Sequence, residues 1–546
     1  MNPHHAQVSI VVIGYDDAAH VADAVRSALA QGPAVREVIA VDDRSTDGSA
    51  ALLDALAAGE PRLTVIHRPA NSGGCGSPRN DGIDAAAAPY VMFLDSDDVL
   101  PPGAVDALLG AAEEHGVEVA AGLCVRRELP SGREIPWEPA LYARPALIPH
   151  PSRRLRLAHD TLCVNKLYRT DFLREHGIRF PEGRFPYEDF VFTARVLAAA
   201  PRVALIPDTV YIWHVRRTAE RLSISLDRAG IGNWRARTEA NQAAYEILLG
   251  AGEKHLARAA HSKFLDHELR MYTRELELRT PEYRRAWWDL TRAYLSTFDA
   301  TDFTVNPTAP GRLVARVILS SPAPRDLPRL RELAARPARL LPPYARASDG
   351  TPVWSSDLPQ VTLENFLDRP AHLLPAAVDA ELRPRARGTR LRLRLHELYG
   401  RMAEAGPTSV DVEFTHREDG RVGLRGTAPL LADRYGDSWS AQTPVDLSEL
   451  GAGTWDLRLT VCFRDGTSRE VTAHARGGPG LLRRRAVLGG RRGVLGVLGG
   501  SGGSGESGVH LVQPYRTHAG ALALRTASGW RGMTEVVYRR VARLLH

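Results

Sequence analysis

The first 120 residues alternate short apolar runs with amphipathic stretches. V-S-I-V-V-I at 8–13, V-I-A-V-D-D at 38–43, L-T-V-I-H at 63–67 and Y-V-M-F-L-D at 90–95 are each strand-sized. Between them, residues 18–30, 48–58 and 78–87 carry apolar positions at helical spacing. Near-continuous apolar strands separated by helices predict a parallel sheet covered on both faces. Ligands of such sheets bind beyond the carboxyl ends of the strands. Acidic residues stand at two of those ends: Asp42 and Asp43 after the second strand, Asp95 and Asp97 after the fourth.

Downstream the period changes. Residues 226–300 read mainly as helix, and 305–350 is rich in proline and arginine and reads as an irregular connector. From 372 to 475 the period is two, in L-R-L-R-L (391–395), V-D-V-E-F (410–414) and W-D-L-R-L-T-V (455–461). The turn signals E-D-G (418–420) and R-D-G (464–466) separate these runs, the signature of an antiparallel β-sandwich. Residues 487–508 are Gly/Ser-rich. Residues 530–546 can form a basic amphipathic helix with Met533, Val537, Val541 and Leu544 on one face. The organisation expected for 546 residues is therefore an α/β domain (1–225), a helical connector (226–350), a β-sandwich (372–475) and a Gly-rich segment with a β/helix tail (476–546).

Composition narrows the classes of function. No apolar run approaches the ~20 residues of a membrane span, and the N-terminus lacks a signal-peptide pattern, so a cytoplasmic protein is expected. The C-terminal basic helix suits contact with an anionic inner membrane face, although docking of its apolar face onto the protein is the better reading. Four widely spaced cysteines without a C-x-x-C pair argue against a zinc site and a disulfide framework. The net charge of +6 is carried almost wholly by arginine and fits an anionic partner or general solubility equally well. Nucleic acid is not among the expected partners.

The candidate chemistry centres on L-D-S-D-D at 94–98. Two carboxylates one residue apart, in a turn just past a strand, can reach a single hard cation. Such a cation neutralises charge on a departing diphosphate. Alone the triplet is weak evidence, because acidic turns are common. In V-D-D-R-S-T-D-G-S, Asp43 can accept a hydrogen bond from a base, while Ser45, Thr46 or Asp47 would serve as helix caps. In the loop Asn71–Asn80, Gly73, Gly74 and Gly76 allow close backbone approach, and Pro78 suits a helix start. Arg79 in that first turn can meet a ribose or phosphate oxygen, or stand in solvent. Glu188 and Asp189 in R-F-P-Y-E-D-F suit either general-base catalysis or interaction with a helix dipole. Y-I-W-H-V-R-R-T-A-E-R-L-S-I-S at 211–225 holds His214, Arg216, Arg217 and Ser223, and arginine suits bidentate phosphate binding. His4, His5, His261 and His267 show no motif geometry.

The ordered set V-S-I-V-V-I-G-Y-D, V-D-D-R-S-T-D-G, N-S-G-G-C-G-S-P-R-N-D-G-I and Y-V-M-F-L-D-S-D-D resembles family 2 glycosyltransferases over roughly residues 6–225. The N-S-G loop followed by F-L-D-S-D-D is particularly similar to the poly(ribitol-phosphate) N-acetylglucosaminyltransferases that decorate wall teichoic acid. The resemblance implies a GT-A, Rossmann-like nucleotide-diphospho-sugar transferase domain. It implies that Tyr15 packs on uracil and Asp43 bonds it, with Asp16 beside them where relatives carry asparagine. It further places Asn71 and Arg79 in the nucleotide pocket and Asp95, Ser96 and Asp97 at ribose, diphosphate and a divalent metal (Mn2+ or Mg2+). Asp189 becomes the base, supported by Glu188. His214 becomes a third metal ligand or a hydrogen-bonding neighbour, and Arg216, Arg217 and Ser223 become diphosphate contacts.

The activity so implied is inverting transfer of a sugar, with UDP-linked N-acetylglucosamine the leading donor, to a hydroxyl of a cell-surface polymer such as teichoic acid. Exopolysaccharide or another glycan stays open as acceptor. So does a non-catalytic glycan-binding protein built on an inactive domain. The C-terminal modules of those relatives trimerise, which implies self-association through the same region here.

Overall fold

Strands β1 (Val8–Gly14), β2 (Val35–Asp42), β3 (Leu63–His67) and β4 (Tyr90–Asp95) form where the apolar runs place them. So do the intervening helices α1 (Val21–Leu29), α2 (Ser49–Ala57) and α3 (Gly76–Ala85). The computed structural model describes residues 7–216, 227–306, 309–385, 388–476, 485–488, 509–517 and 520–528. β1 pairs in parallel with β2 and β4, and β2 with β3. Val8, Ile10, Val11, Val91, Met92, Phe93 and Leu94 are fully buried, as a sheet covered on both faces requires.

The chain continues through α4 (Ala104–His115), β5 (Val119–Leu129), β6 (Arg133–Pro136), β7 (Ala146–Ile148), β8 (Lys166–Arg169), α5 (Thr170–Glu175), α6 (Glu188–Ala198) and β9 (Val203–Arg216). The sheet order is β3-β2-β1-β4-β8-β5-β9-β7, with β6 attached to β5. The sheet is mixed rather than purely parallel, because β8 enters antiparallel to both β4 and β5. Strand direction is set by the connections, and hydrophobic periodicity does not report it. An aromatic cluster fixes the later elements to β4: Phe180 and Phe192 stack at 3.9 Å, and Phe93 meets both edge-on. Phe93 leads to Asp95 and Phe192 follows Asp189, so this cluster sets the spacing between two candidate site elements.

Two compact units emerge: Met1–Leu265 with Asp289–Val305, and Asp266–Trp288 with Asn306–His546. The described residues 227–300 are mainly helical, in α7 (Ile231–Gly250), α8 (Lys254–Lys263), Arg270–Leu276 and Pro281–Leu295. His261 of the first unit is a packed core residue, stacked between Tyr245 and Phe298 with Nδ1 3.0 Å from Asp302.

The proline- and arginine-rich stretch 305–350 departs from the irregular connector expected. It holds helices Pro310–Leu319 and Leu327–Ala334. Pro310 and Pro328 lie in first turns, where a missing N–H costs nothing, so these prolines start helices instead of breaking them. The arginines also turn inward: Arg312 is 1% exposed and donates to both oxygens of Asp266, and Arg329 stacks 3.9 Å over Trp354.

In the second unit the period-two runs form strands Val378–Arg383, Arg390–His396, Pro407–His416, Val422–Pro429, Ser438–Pro444, Gly453–Phe463 and Ser468–Ala475. Beyond residue 475, strands Arg485–Leu488, Val509–Arg516 and Leu522–Ser528 extend the same sheet. Among the described residues of this unit, pairing is antiparallel except between Val378–Arg383 and Ser468–Ala475. Alternate residues such as Val410, Val412, Phe414, Trp455, Leu457 and Leu459 are buried, giving a sandwich-like core. The proposed C-terminal helix at 530–546 and most of the Gly/Ser-rich segment lie outside the described residues.

Candidate active site

The carboxyl ends of β1, β2 and β4 meet at one edge of the sheet, and short side chains stitch their loops together. Asp16, with φ of 50°, accepts from the Thr46 amide at 2.6 Å, and its own amide donates to Ser45 Oγ at 3.0 Å. Asp17 accepts from Ser96 Oγ at 2.8 Å, and its amide donates to Ser49 Oγ. Asp16 and Ser96, expected at the nucleotide, are thus bonded within the protein and shape the loops. Tyr15, beside them, is 37% exposed.

Arg79 is the centre of the site. Its side chain is 2% exposed; Nη2 donates to Asp95 Oδ1 at 2.6 Å, and Nη1 to Glu188 Oε1 at 2.5 Å and Asp189 Oδ1 at 3.2 Å. Helix α3 carries Arg79 there because Gly76 lets its first turn press on the chain: a Cβ at Gly76 would lie 2.0 Å from the Pro181 carbonyl oxygen. The glycines of this loop therefore serve approach to the protein's own segment 180–185. Burial alone would lower the Arg79 pKa, but its acidic neighbours hold it well above the usual arginine range.

Three carboxylates share that one cation. Burial, partly offset by Arg79 and reinforced by Asp189, pushes Glu188 up to about 7. Burial also raises Asp189, again opposed by Arg79. Both open α6, whose N-terminus favours negative charge. Asp189 is the more accessible, at 21% side-chain exposure against 9% for Glu188, and it accepts a hydrogen bond from the buried Cys163 thiol at 3.3 Å.

Asp97 stands beyond Asp95 in the same turn. Burial, with the negative charges of Asp95 and Asp17, pushes its carboxyl up to about 6, and Arg216 only partly opposes this. Arg216 donates to the Asp97 carbonyl at 2.8 Å, with its guanidinium 3.6 Å from the carboxylate. His214 Nδ1 lies 3.2 Å from the same carbonyl, and burial lowers its pKa. Among the described residues no three His, Cys, Asp or Glu side chains gather as a metal-ligating group, so His214 is not assembled with Asp95 and Asp97 into a three-ligand site. Nevertheless the two aspartates fit a divalent cation. Their mutual repulsion is what such an ion relieves, and magnesium-type ions need only one or two protein carboxylates beside water and phosphate.

Asp43, 4% exposed, accepts from the Ser72 amide at 3.0 Å, Ser72 Oγ at 2.8 Å and Asn71 Nδ2 at 3.2 Å. Burial raises its pKa against those bonds. Asp43 and Asn71 are brought together, as a loop-holding pair. Arg217 and Ser223 lie outside the described residues.

Three parts of this arrangement escaped the sequence reading. Asp98, 3% exposed, accepts from Tyr211 Oη and the His214 amide, each at 2.7 Å, tying β9 to the acidic turn after β4. Asp17 contributes charge at Asp97. Lys166, one of few lysines, is buried with Asp160 at 2.7 Å, where Asn165, Tyr142 and Trp137 also converge. Only Asp98 carried a signal, as the third acid of L-D-S-D-D.

Residues 9–177 match the family model described as glycosyl transferase family 2. Over those residues the first unit is similar to family 2 glycosyl transferases. The chain is 31% identical to a poly(ribitol-phosphate) beta-glucosyltransferase of Bacillus spizizenii over 35% of its own length and 29% of that protein. It is 31% identical to the succinoglycan biosynthesis protein ExoO of Rhizobium meliloti over 40% of its length and 64% of that protein. To the poly(ribitol-phosphate) beta-N-acetylglucosaminyltransferase TarS of Staphylococcus aureus it is 29% identical over 39% of its length and 36% of that protein. The matches thus span less than two thirds of each of these relatives. The crystal structure of S. aureus TarS shares the fold over 96% of this chain and 85% of that one, at a TM-score of 0.52 and 18% identity. The GT-A α/β domain followed by a β-rich region, expected from the sequence, is the fold found.

Proposed function

We propose that this chain is an inverting glycosyltransferase that moves a sugar from a nucleotide diphosphate donor to a hydroxyl of a cell-surface polymer. The observation that carries this reading is the Arg79 bridge, which joins the acidic turn after β4 to the Glu188–Asp189 pair on α6. Asp189 accepts the proton of the attacking hydroxyl while the oxygen bonds the anomeric carbon, and the bond to the diphosphate oxygen breaks on the opposite face. Arg79 opposes the upward push that burial exerts on the Asp189 carboxyl. Asp95 and Asp97 would hold a Mn2+ or Mg2+ ion, which supplies neutralisation of charge on the leaving diphosphate. Arg216 and His214 brace the backbone of that turn.

The polymer class is supported by the names of the relatives: two act on poly(ribitol phosphate), and the third belongs to succinoglycan biosynthesis. Teichoic acid is the leading acceptor and exopolysaccharide the second. UDP-N-acetylglucosamine is the leading donor. Among the described residues no helix is long and apolar enough to cross a membrane. A nucleotide sugar donor places the reaction in the cytoplasm, at the inner membrane face where polymer precursors lie. Assembly through the C-terminal region, as a trimer, completes the proposal.

The test is Mn2+-dependent release of UDP from UDP-sugars by the full chain. Release that disappears in Asp189→Asn and Asp97→Asn supports the reading. If no nucleotide sugar binds or turns over, the non-catalytic glycan-binding alternative replaces it.

A further inference from the structure

The loop 160–165 is fastened to one face of α6 at two points, four residues apart on the helix. Asp189 accepts from the Cys163 thiol at 3.3 Å, and Thr193 Oγ1, one turn later, donates to the Thr161 carbonyl at 3.1 Å. Cys163 is fully buried, and its own carbonyl accepts from Tyr168 Oη at 3.1 Å. The buried Lys166 draws the same loop together. Its Nζ donates to Asp160 Oδ2 at 2.7 Å, to Asn165 Oδ1 at 3.0 Å and to the Leu162 carbonyl next to Cys163. Asn165 Nδ2 in turn ties the loop to the Gly122 carbonyl of β5 at 2.8 Å. The network around Lys166 thus reaches the site through the Cys163 thiol.

The thiol and Arg79 Nη1, at 3.2 Å, bond the same oxygen, Asp189 Oδ1. Among the described residues no side-chain donor bonds Oδ2, and the Asp189 side chain keeps 21% of its surface open. Oδ2 is therefore the oxygen left to meet an incoming hydroxyl. Burial holds Cys163 well above the usual thiol range, so it stays an S–H donor where a thiolate would repel the carboxylate. Burial also raises Asp189; Arg79 opposes this, Asp95 adds to it, and the Cys163 thiol and amide oppose it further. A carboxylate bonded by Arg79 alone can pivot about that contact. A second donor, from a different segment, fixes its plane, and the aim of a reacting group is what catalysis is most sensitive to.

We propose that Cys163 is a positioning residue for the transfer, holding Asp189 by Oδ1 so that Oδ2 takes the proton of the acceptor hydroxyl. The inference rests on Asp189 being the base. The competing role for a buried cysteine is that of a small apolar filler. Three variants of the full chain separate donor from filler. Cys163→Ser keeps a donor, Cys163→Val keeps the bulk without one, and Cys163→Ala has neither. The readout is kcat from steady-state UDP release, per site counted by UDP titration. Cys163→Ser should stay within about threefold of the parent, while Cys163→Val and Cys163→Ala fall about tenfold, the size of one lost hydrogen bond to a charged group. Activity of Cys163→Val equal to or above that of Cys163→Ser would overturn the proposal. The infrared S–H band that Cys163→Ala removes should move to higher frequency in Asp189→Asn, where the acceptor loses its charge. An unmoved band overturns the proposal as well, and this measurement carries the test if Cys163→Ser fails to fold. Parent-like turnover in Asp189→Asn removes the base reading and this inference with it. An inactive Asp189→Asn beside a fully active Cys163→Val removes this inference alone.

Discussion

The Arg79 guanidinium donates to Glu188 at 2.5 Å, and with its other nitrogen to Asp95 at 2.6 Å. One buried cation thus couples the start of α6 to the end of β4. Truncating it leaves Asp95, Glu188 and Asp189 without their shared counter-charge. Arg79→Ala should destabilise the fold by about 3–5 kcal/mol, the cost of leaving buried charge uncompensated. Chemical denaturation followed by fluorescence measures this, and a loss below about 1 kcal/mol contradicts the bridge.

Asp189 and Glu188 should separate kinetically. Asp189→Asn keeps the shape but accepts no proton, so kcat should fall by about 10²–10⁴ with donor KM little changed. Glu188→Gln, on the more buried member, should cost less and act through the position of Arg79. Steady-state UDP release from both variants decides the order, and equal losses would reassign the base.

Metal binding should depend on pH through Asp97. Its carboxyl, raised to about 6, must be ionised to ligate. Mn2+ affinity should therefore fall by up to about tenfold per pH unit below about 6 and level off above it. The linkage to stability has the opposite slope. The folded chain keeps this proton to higher pH than the unfolded chain, so the group's contribution to stability declines as pH rises from about 4 through about 6. Calorimetric Mn2+ titrations across that range test the first point, and Asp97→Asn should flatten the profile.

Gly76→Ala should be damaging and Gly110→Ala benign. A Cβ at 76 would lie 2.0 Å from a backbone oxygen, whereas one at 110, inside α4, meets nothing within 4 Å. The first should cost about 1–3 kcal/mol and reduce turnover by shifting Arg79. The second should gain up to about 1 kcal/mol, because alanine is the better helix former. Melting temperatures of both proteins check the pair.

Much of the first unit was legible in the sequence because its signals are local. The apolar runs at 8–13 and 90–95 define buried strands wherever they occur, and an acidic turn following one of them marks a strand end. Prolines at 310 and 328 misled the reading of 305–350, since composition does not say whether a proline opens a helix or interrupts one. Arg312 and Arg329 look like surface charge in sequence and lie inside the second unit.

By itself the sequence determined the order of strands and helices, the period-two C-terminal region and the set of acidic residues available for chemistry. Only tertiary structure decided what those residues face. Arg79 reaches Asp95 across 16 residues and Glu188 across 109, a convergence set by Gly76 and the Phe93–Phe180–Phe192 cluster. The antiparallel entry of β8 and the charge of Asp17 at Asp97 likewise arise from contacts between distant segments. Periodicity records the environment of each segment, but pairing partners and electrostatic neighbours exist only once the chain has closed on itself.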